Sequence, residues 1–107
     1  MSDLRTQARF KKRLSVKFGH DQLENIGFTC DVSSRGLYLQ SKIVYKPGII
    51  LIIEITMRDG TIILFEGKVR WSKKAPTEFS HKMKSGMGIQ IQKFLQGEDV
   101  FKTIFLQ

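Results

Sequence analysis

The stretch Ile49-Ile50-Leu51-Ile52-Ile53-Glu54-Ile55-Thr56-Met57-Arg58-Asp59-Gly60-Thr61-Ile62-Ile63-Leu64-Phe65-Glu66-Gly67-Lys68-Val69-Arg70-Trp71 decides the fold. Both arms are dominated by aliphatic side chains. Arg58-Asp59-Gly60 between them is the sharpest hairpin signal in the chain, because Asp-Gly accepts the positive backbone angles that a tight turn demands. The pattern predicts a strand over 49–56 and a second over 61–71 that pairs back on it. The near-continuous aliphatic run of the first predicts burial on both faces, and Tyr45-Lys46-Pro47-Gly48 is the turn that leads into it.

Outward from this hairpin, Leu14-Ser15-Val16-Lys17-Phe18 alternates strictly, as a strand with one wet and one buried face does. Gly19-His20-Asp21 turns the chain, and strands come next over 23–29 and 37–40. Residues 74–85, with Ala75-Pro76-Thr77 and several charges, have no apolar period and are expected to form a long loop. Gly86-Met87-Gly88-Ile89-Gln90-Ile91 restarts alternation as a last strand, its glycines bending it or permitting close approach. After Gly97, Val100, Phe101, Ile104 and Phe105 fall on one face of a short helix, with Glu98 and Asp99 suited to the positive end of its dipole. About six strands joined by hairpin signals imply an all-β fold, an antiparallel sheet closed or nearly closed into a barrel, with a short C-terminal α-helix over an open end or side. Residues 1–12, polar and basic with isolated Leu4 and Phe10, are expected to be a flexible leader, and 13–107 the barrel with its helix.

At 107 residues the chain suits one domain with one core. No apolar run reaches membrane-spanning length and no export segment lies behind the start, so a cytoplasmic protein without membrane insertion is expected. One cysteine, Cys30, allows no internal disulfide and no cysteine cluster for zinc. The formal charge of +8 calls for an anionic partner. The positive residues gather in two zones, Arg5 to Lys17 and Lys68 to Lys84. His20 and His81 have no carboxylate or cysteine at ligand spacing, so no metal is expected. Ser33 has no neighbouring histidine, and neither a nucleophile elbow nor a Walker loop is present, so no catalytic residue, no cofactor and no enzyme are expected.

Two motifs carry the expectation of a ligand. Asp31-x-Ser33-x-x-Gly36 lies between two strand-like runs, where a turn or bulge would project its polar groups. Asp31 accepts from N–H donors, Ser33 gives and takes, and Gly36 admits backbone or ligand where a Cβ would clash. A plain Asx or Ser/Thr turn joining two strands is the alternative. Arg9-x-x-x-Arg13 precedes the first full strand. Arginine's planar fork binds phosphate oxygens in pairs, stacks on a base, and matches the O6/N7 edge of guanine.

With these motifs and Gly86-Met87-Gly88-Ile89 in a late strand, the sequence resembles the PilZ domain family, receptors for the bacterial second messenger cyclic di-GMP. The resemblance covers most of the chain and implies a six-stranded antiparallel β-barrel with a C-terminal helix. It implies that Arg9 and Arg13 bind the phosphates and guanine faces, that Asp31 and Ser33 hydrogen-bond guanine or backbone, and that Gly36 leaves room for the ring. Arg5 stands in the same relation to Arg9 as Arg9 to Arg13, and adjacency to the strand selects the latter pair. Arg35 is placed either to reach a phosphate or to face solvent. Trp71 is placed to pack at the core or rim or to stack on a base, with Arg70 and Lys73 beside it. Gly88 completes the candidate set, and Tyr38 and Phe28 are expected to pack in the sheet. A receptor with no output domain needs an unidentified downstream protein partner. A binder of single-stranded nucleic acid on a small barrel ranks below it, and a ligand-free PilZ-like adaptor last. The oligomeric state is open.

Overall fold

The structure is a computed structural model that describes residues 9–76 and 84–104. Seven strands, β1 (Phe10–Lys11), β2 (Ser15–Gly19), β3 (Asn25–Val32), β4 (Gly36–Gln40), β5 (Ile50–Thr56), β6 (Ile62–Lys73) and β7 (Gly86–Gln96), precede one helix, α1 (Glu98–Thr103). All pairings are antiparallel, and the order β3-β2-β5-β6-β7-β4 closes through a β3–β4 pairing. Six strands therefore form the barrel expected from the sequence, and β1 adds to the free edge of β3.

The central hairpin forms as its composition dictates, with Ile50 opposite Lys68 and Thr56 opposite Ile62. Its connection is a three-residue loop: the Met57 N–H donates to the Thr61 carbonyl at 2.8 Å, and of the loop residues only Gly60 has a positive φ, 90°. The Asp59 carboxylate accepts the Thr61 N–H at 2.9 Å, and hydrogen bonds from Thr61, its side chain first and then this N–H, hold the Asp59 pKa below the usual carboxylate range. Upstream, Pro47 and Gly48 (φ 97°) are the central residues of a turn closed by the Ile49 N–H on the Lys46 carbonyl at 3.3 Å, as a type II turn requires.

Burial of β5 on both faces is not found. Leu51, Ile53 and Ile55 are fully enclosed, while Ile50 is 41 % exposed and Ile52 half-covered. A closed barrel has one interior, so only one parity of each strand enters it. The core takes Val16 and Phe18 from β2, Leu37 and Leu39 from β4, Ile63, Phe65 and Val69 from β6, and Met87 and Ile89 from β7. Helix α1 begins at Gly97, whose φ of 81° turns the chain, and lays Phe101 against this core. The rings of Phe65, Phe94 and Phe101 form a chain at centroid distances of 5.8 and 5.3 Å. Ile104 is also buried, Val100 is half-buried, and Phe105 lies outside the described residues. Among the described residues no helix is long and apolar enough to cross a membrane.

Of the leader read over 1–12, residues 1–8 lie outside the described residues, whereas Phe10 and Lys11 pair with Val32 and Asp31. The order from residue 10 onward has a cause. Strand β3 outruns β2, which pairs with it only as far as Phe28, and the edge left over is taken by the residues before β2. Buried Thr29 then clamps them. Its hydroxyl donates to the Lys12 carbonyl at 2.6 Å and accepts the Leu14 N–H at 2.9 Å, and the Lys12 N–H donates to the Cys30 carbonyl at 3.2 Å.

The ladders also slip at four places, where one strand carries an extra residue: Cys30 in β3, Arg70 in β6, and Gln92 and Leu95 in β7. Such bulges bend a strand and reverse the facing of the residues beyond them. Leu95 is accordingly 44 % exposed. Truncation should obey the same inside–outside division: urea denaturation is expected to show Phe65→Ala losing about 3–5 kcal/mol, and Ile26→Ala, at a position 73 % exposed, staying within about 0.5 kcal/mol.

Candidate functional site

Two of the four bulges build the site. Along β3, Gly27 and Thr29 point inward and Ile26 and Phe28 outward, a parity that would send Asp31 into the core. The extra residue at Cys30 lets Thr29 oppose Leu39 and Asp31 oppose Tyr38, so Cys30 and Asp31 both face out and Val32 returns to the interior. Along β6, Ile63, Phe65, Gly67 and Val69 point inward, and the extra residue at Arg70 turns Trp71 outward, where it is 47 % exposed. Cross-strand pairing then aligns Lys11, Asp31, Tyr38, Gly88 and Trp71 in one row across five strands.

Glycines decide how closely the row packs. A Cβ on Gly88 would stand 2.1 Å from the Trp71 Nε1, so the indole lies flat over that position. A Cβ on Gly86 would likewise strike the Tyr38 ring. The Tyr38 and Trp71 rings meet at 5.2 Å with an interplanar angle of 41°. Gly36 has a different reason to be glycine: a Cβ there would lie 2.2 Å from the backbone carbonyl oxygen of Ile89.

Ser33 and Gly36 bracket a two-residue connection, Ser34-Arg35, in which neither residue has a positive φ. The Ser33 N–H donates to the Gly36 carbonyl at 2.8 Å, and the Ser33 hydroxyl donates to the same oxygen at 3.2 Å while accepting the Arg35 N–H at 3.4 Å. Ser33 is 1 % exposed. Its hydroxyl therefore holds the turn, and the Arg35 carbonyl ties that turn to β7 by accepting the Ile91 N–H at 2.8 Å.

Around this scaffold opens a cavity of about 490 Å³. Arg9, Arg35, Arg70 and Lys73 line it against a single carboxylate, Asp31, with Trp71 and Tyr38 as aromatic wall and Gly36 and Gly88 at its floor. Arg9 Nη1 donates to Asp31 Oδ1 at 2.6 Å, with side chains 56 % and 29 % exposed. A pair this open to water is worth about 0.2–1 kcal/mol. It holds the guanidinium beside the carboxylate in the cavity lining. Arg70 Nη1 is oriented by Gln90 Oε1 at 2.8 Å. Burial, with the nearby Cys30 and Asp31, pushes the Tyr38 hydroxyl pKa up. Burial, and then Asp31, also raises the Cys30 thiol against the opposing pull of Arg13. Neither group adds negative charge at neutral pH, so the cavity stays positive. It suits a flat, anionic molecule that stacks on an indole and offers donors to a carboxylate. Among the described residues its lining contains no histidine, and no three metal-ligating side chains converge.

Of the candidates named from the sequence, Arg9, Asp31, Ser33, Gly36, Arg35, Trp71 and Gly88 all line this cavity. Arg13 does not: its guanidinium carbon sits 4.0 Å from the centroid of the Phe28 ring. Four residues of extended chain span about 13 Å, so Arg9 and Arg13 reach different places while the backbone stays straight. Arg5 lies outside the described residues. Sequence reasoning placed Tyr38 in the sheet and passed over Gln90 and Thr29. Only strand register, which single residues do not encode, puts the first two beside Trp71 and Arg70 and the third beneath the leader.

The glycines separate two kinds of damage. Gly36→Ala sets a side chain against backbone that cannot move aside and is expected to lower the urea midpoint clearly. Gly88→Ala meets a side chain that can swing away, so the barrel should persist while Trp71 emission shifts as the indole leaves its seat.

A family model for the PilZ domain matches residues 3–104. No curated protein is similar enough in sequence to count as a relative. Among solved structures, the chain is similar to the Bacillus subtilis inhibitor of motility (MotI/DgrA), with a TM-score of 0.71 and 18 % identity over 90 % of this chain. That match covers 46 % of the neighbour, so this chain spans about half its length, and at such identity the likeness concerns the fold alone. The family match, in contrast, runs from ahead of β1 through α1 and takes in every strand of the barrel; the chain belongs to the PilZ domain family.

Proposed function

We propose that this chain is a cyclic di-GMP receptor that works in the bacterial cytoplasm and reports to a protein partner. The observation that supports this most is the convergence, in one positive cavity, of the Arg9–Asp31 pair with an indole seated on glycine. Each part answers a part of the ligand. Guanine offers N1–H and N2–H₂ to the Asp31 carboxylate and its O6/N7 edge to a guanidinium. Its ring faces Trp71, where base stacking contributes about 1–3 kcal/mol. The phosphates meet Arg9, Arg35, Arg70 and Lys73. Gly36 and Ser33 serve by shaping the turn that carries Arg35.

Arg13 enters on ligand binding. Its stacking on exposed Phe28 is worth about 0.5–1 kcal/mol. A charge-assisted hydrogen bond to phosphate contributes about 1.5–3 kcal/mol, enough to draw the side chain across. The surface rearranged by that movement, on β1 and the outer face of β3, is what a partner protein would read. The structural neighbour is an inhibitor of motility by name, so motility is one output such a partner could control.

The protein's single tryptophan, Trp71, is the reporter for a test. Titration with cyclic di-GMP, cyclic di-AMP, GTP and a short single-stranded DNA at two salt concentrations is expected to give saturable quenching by cyclic di-GMP in preference to the rest. Arg9→Ala and Asp31→Ala should each weaken it by about one to two decades, measured by calorimetry. Unchanged affinity in both variants removes the site. Binding that favours DNA and falls steeply with salt would instead establish a nucleic-acid binder.

A further inference from the structure

A second cavity, of about 470 Å³, opens where residues 11–14, the β5–β6 turn and α1 meet. Lys11, Lys12, Arg13 and Arg58 line it against one carboxylate, Asp59. That carboxylate is turned onto the Thr61 N–H of its own hairpin. Among the described residues none of the four cations has an ion-pair partner. The positive charge is therefore concentrated and uncompensated, although like charges brought together repel. It is also held in place. The Thr29 clamp fixes the backbone from Lys12 to Leu14 before any ligand arrives, so little ordering remains to be done on binding. Leu14, Met57 and Val100 supply an apolar floor between the cations.

We propose that this cavity is a second anion site that takes a phosphate group, distinct from the Asp31–Trp71 cavity; Arg13 is the one cation it shares with the proposed cyclic di-GMP site, and Lys11, Lys12 and Arg58 remain here when Arg13 is drawn away. Arg58 on the hairpin offers a planar fork for two phosphate oxygens, and the lysines opposite supply point charges from the other wall. The apolar floor accommodates the carbon skeleton that carries the phosphate. Such a group is available on a soluble phosphate ester and on the headgroup of an anionic lipid, and the chemistry of recognition is the same for both.

The test uses the full chain, titrated with inorganic pyrophosphate and, separately, with vesicles of phosphatidylcholine and phosphatidylglycerol in equal parts. Pyrophosphate is expected to move the NMR amide resonances of residues 11–14, 57–60 and 100–103 to saturation and to leave the Trp71 indole N–H in place. Arg58→Glu, on an exposed turn outside the first cavity, should weaken that binding by about tenfold or more, and Arg58→Gln by less. Vesicle binding that disappears in Arg58→Glu identifies a lipid headgroup as the source; pyrophosphate binding without vesicle binding identifies a soluble ester. The proposal is overturned if neither probe binds, if lysines and arginines around the whole barrel respond alike without saturation, or if Arg58→Glu binds as the unsubstituted chain does.

Discussion

A single extra residue in an antiparallel ladder reverses the facing of every residue after it, and this barrel uses that constraint twice at one place. Cys30 is the extra residue in β3 and Arg70 the extra residue in β6. Without the first, Asp31 would be a carboxylate pressed into an aliphatic interior, at a cost that no partner there could offset. Without the second, Trp71 would continue the inward series of Phe65, Gly67 and Val69. With both, a carboxylate and an indole from non-adjacent strands share one outer face, separated by β4 and β7. The site is thus a property of register before it is a property of side-chain chemistry.

Rigid and yielding parts divide around that face. The aromatic wall rests on glycines, and the Ser33–Gly36 turn is closed by its own hydroxyl and tied to β7, so neither depends on a ligand for its shape. The arginines differ. Arg9 is held by one exposed ion pair and Arg13 by one exposed ring, each worth little against charge-assisted bonds to phosphate. A preformed floor with weakly parked guanidinium groups lets those two side chains change partners at small energetic cost. The Thr29 clamp confines that change to side chains, because the backbone from Lys12 to Leu14 is bonded to buried Thr29 of β3.

Most of the architecture could be read from local pattern. The aliphatic arms around Arg58-Asp59-Gly60, the strict alternation of residues 14–18 and the spacing of Phe101 and Ile104 each state their own element, since periodicity and turn chemistry are short-range properties. Arg9, Asp31 and Gly36 could be named from motifs. Their separate duties could not. Gly36 answers the Ile89 carbonyl, a neighbour 53 residues away in sequence, and Ser33 proved to be the turn-former that the plainer interpretation of the motif allowed. The outward turn of Trp71 was hidden because Arg70 looks like an ordinary outward residue whether or not the strand is bulged there. The four-residue spacing of Arg9 and Arg13 likewise suggests proximity that extended backbone does not grant.

The parity reversal at Arg70 can be observed directly in solution by nuclear Overhauser contacts from the Trp71 indole of the unliganded chain. Contacts to the Gly88 α-protons and the Tyr38 ring, with none to Leu51 or Ile53, are the expected result. Contacts from the indole to Leu51 or Ile53, with Gly88 and Tyr38 silent, would mean that β6 alternates without interruption and that no shared outer face exists.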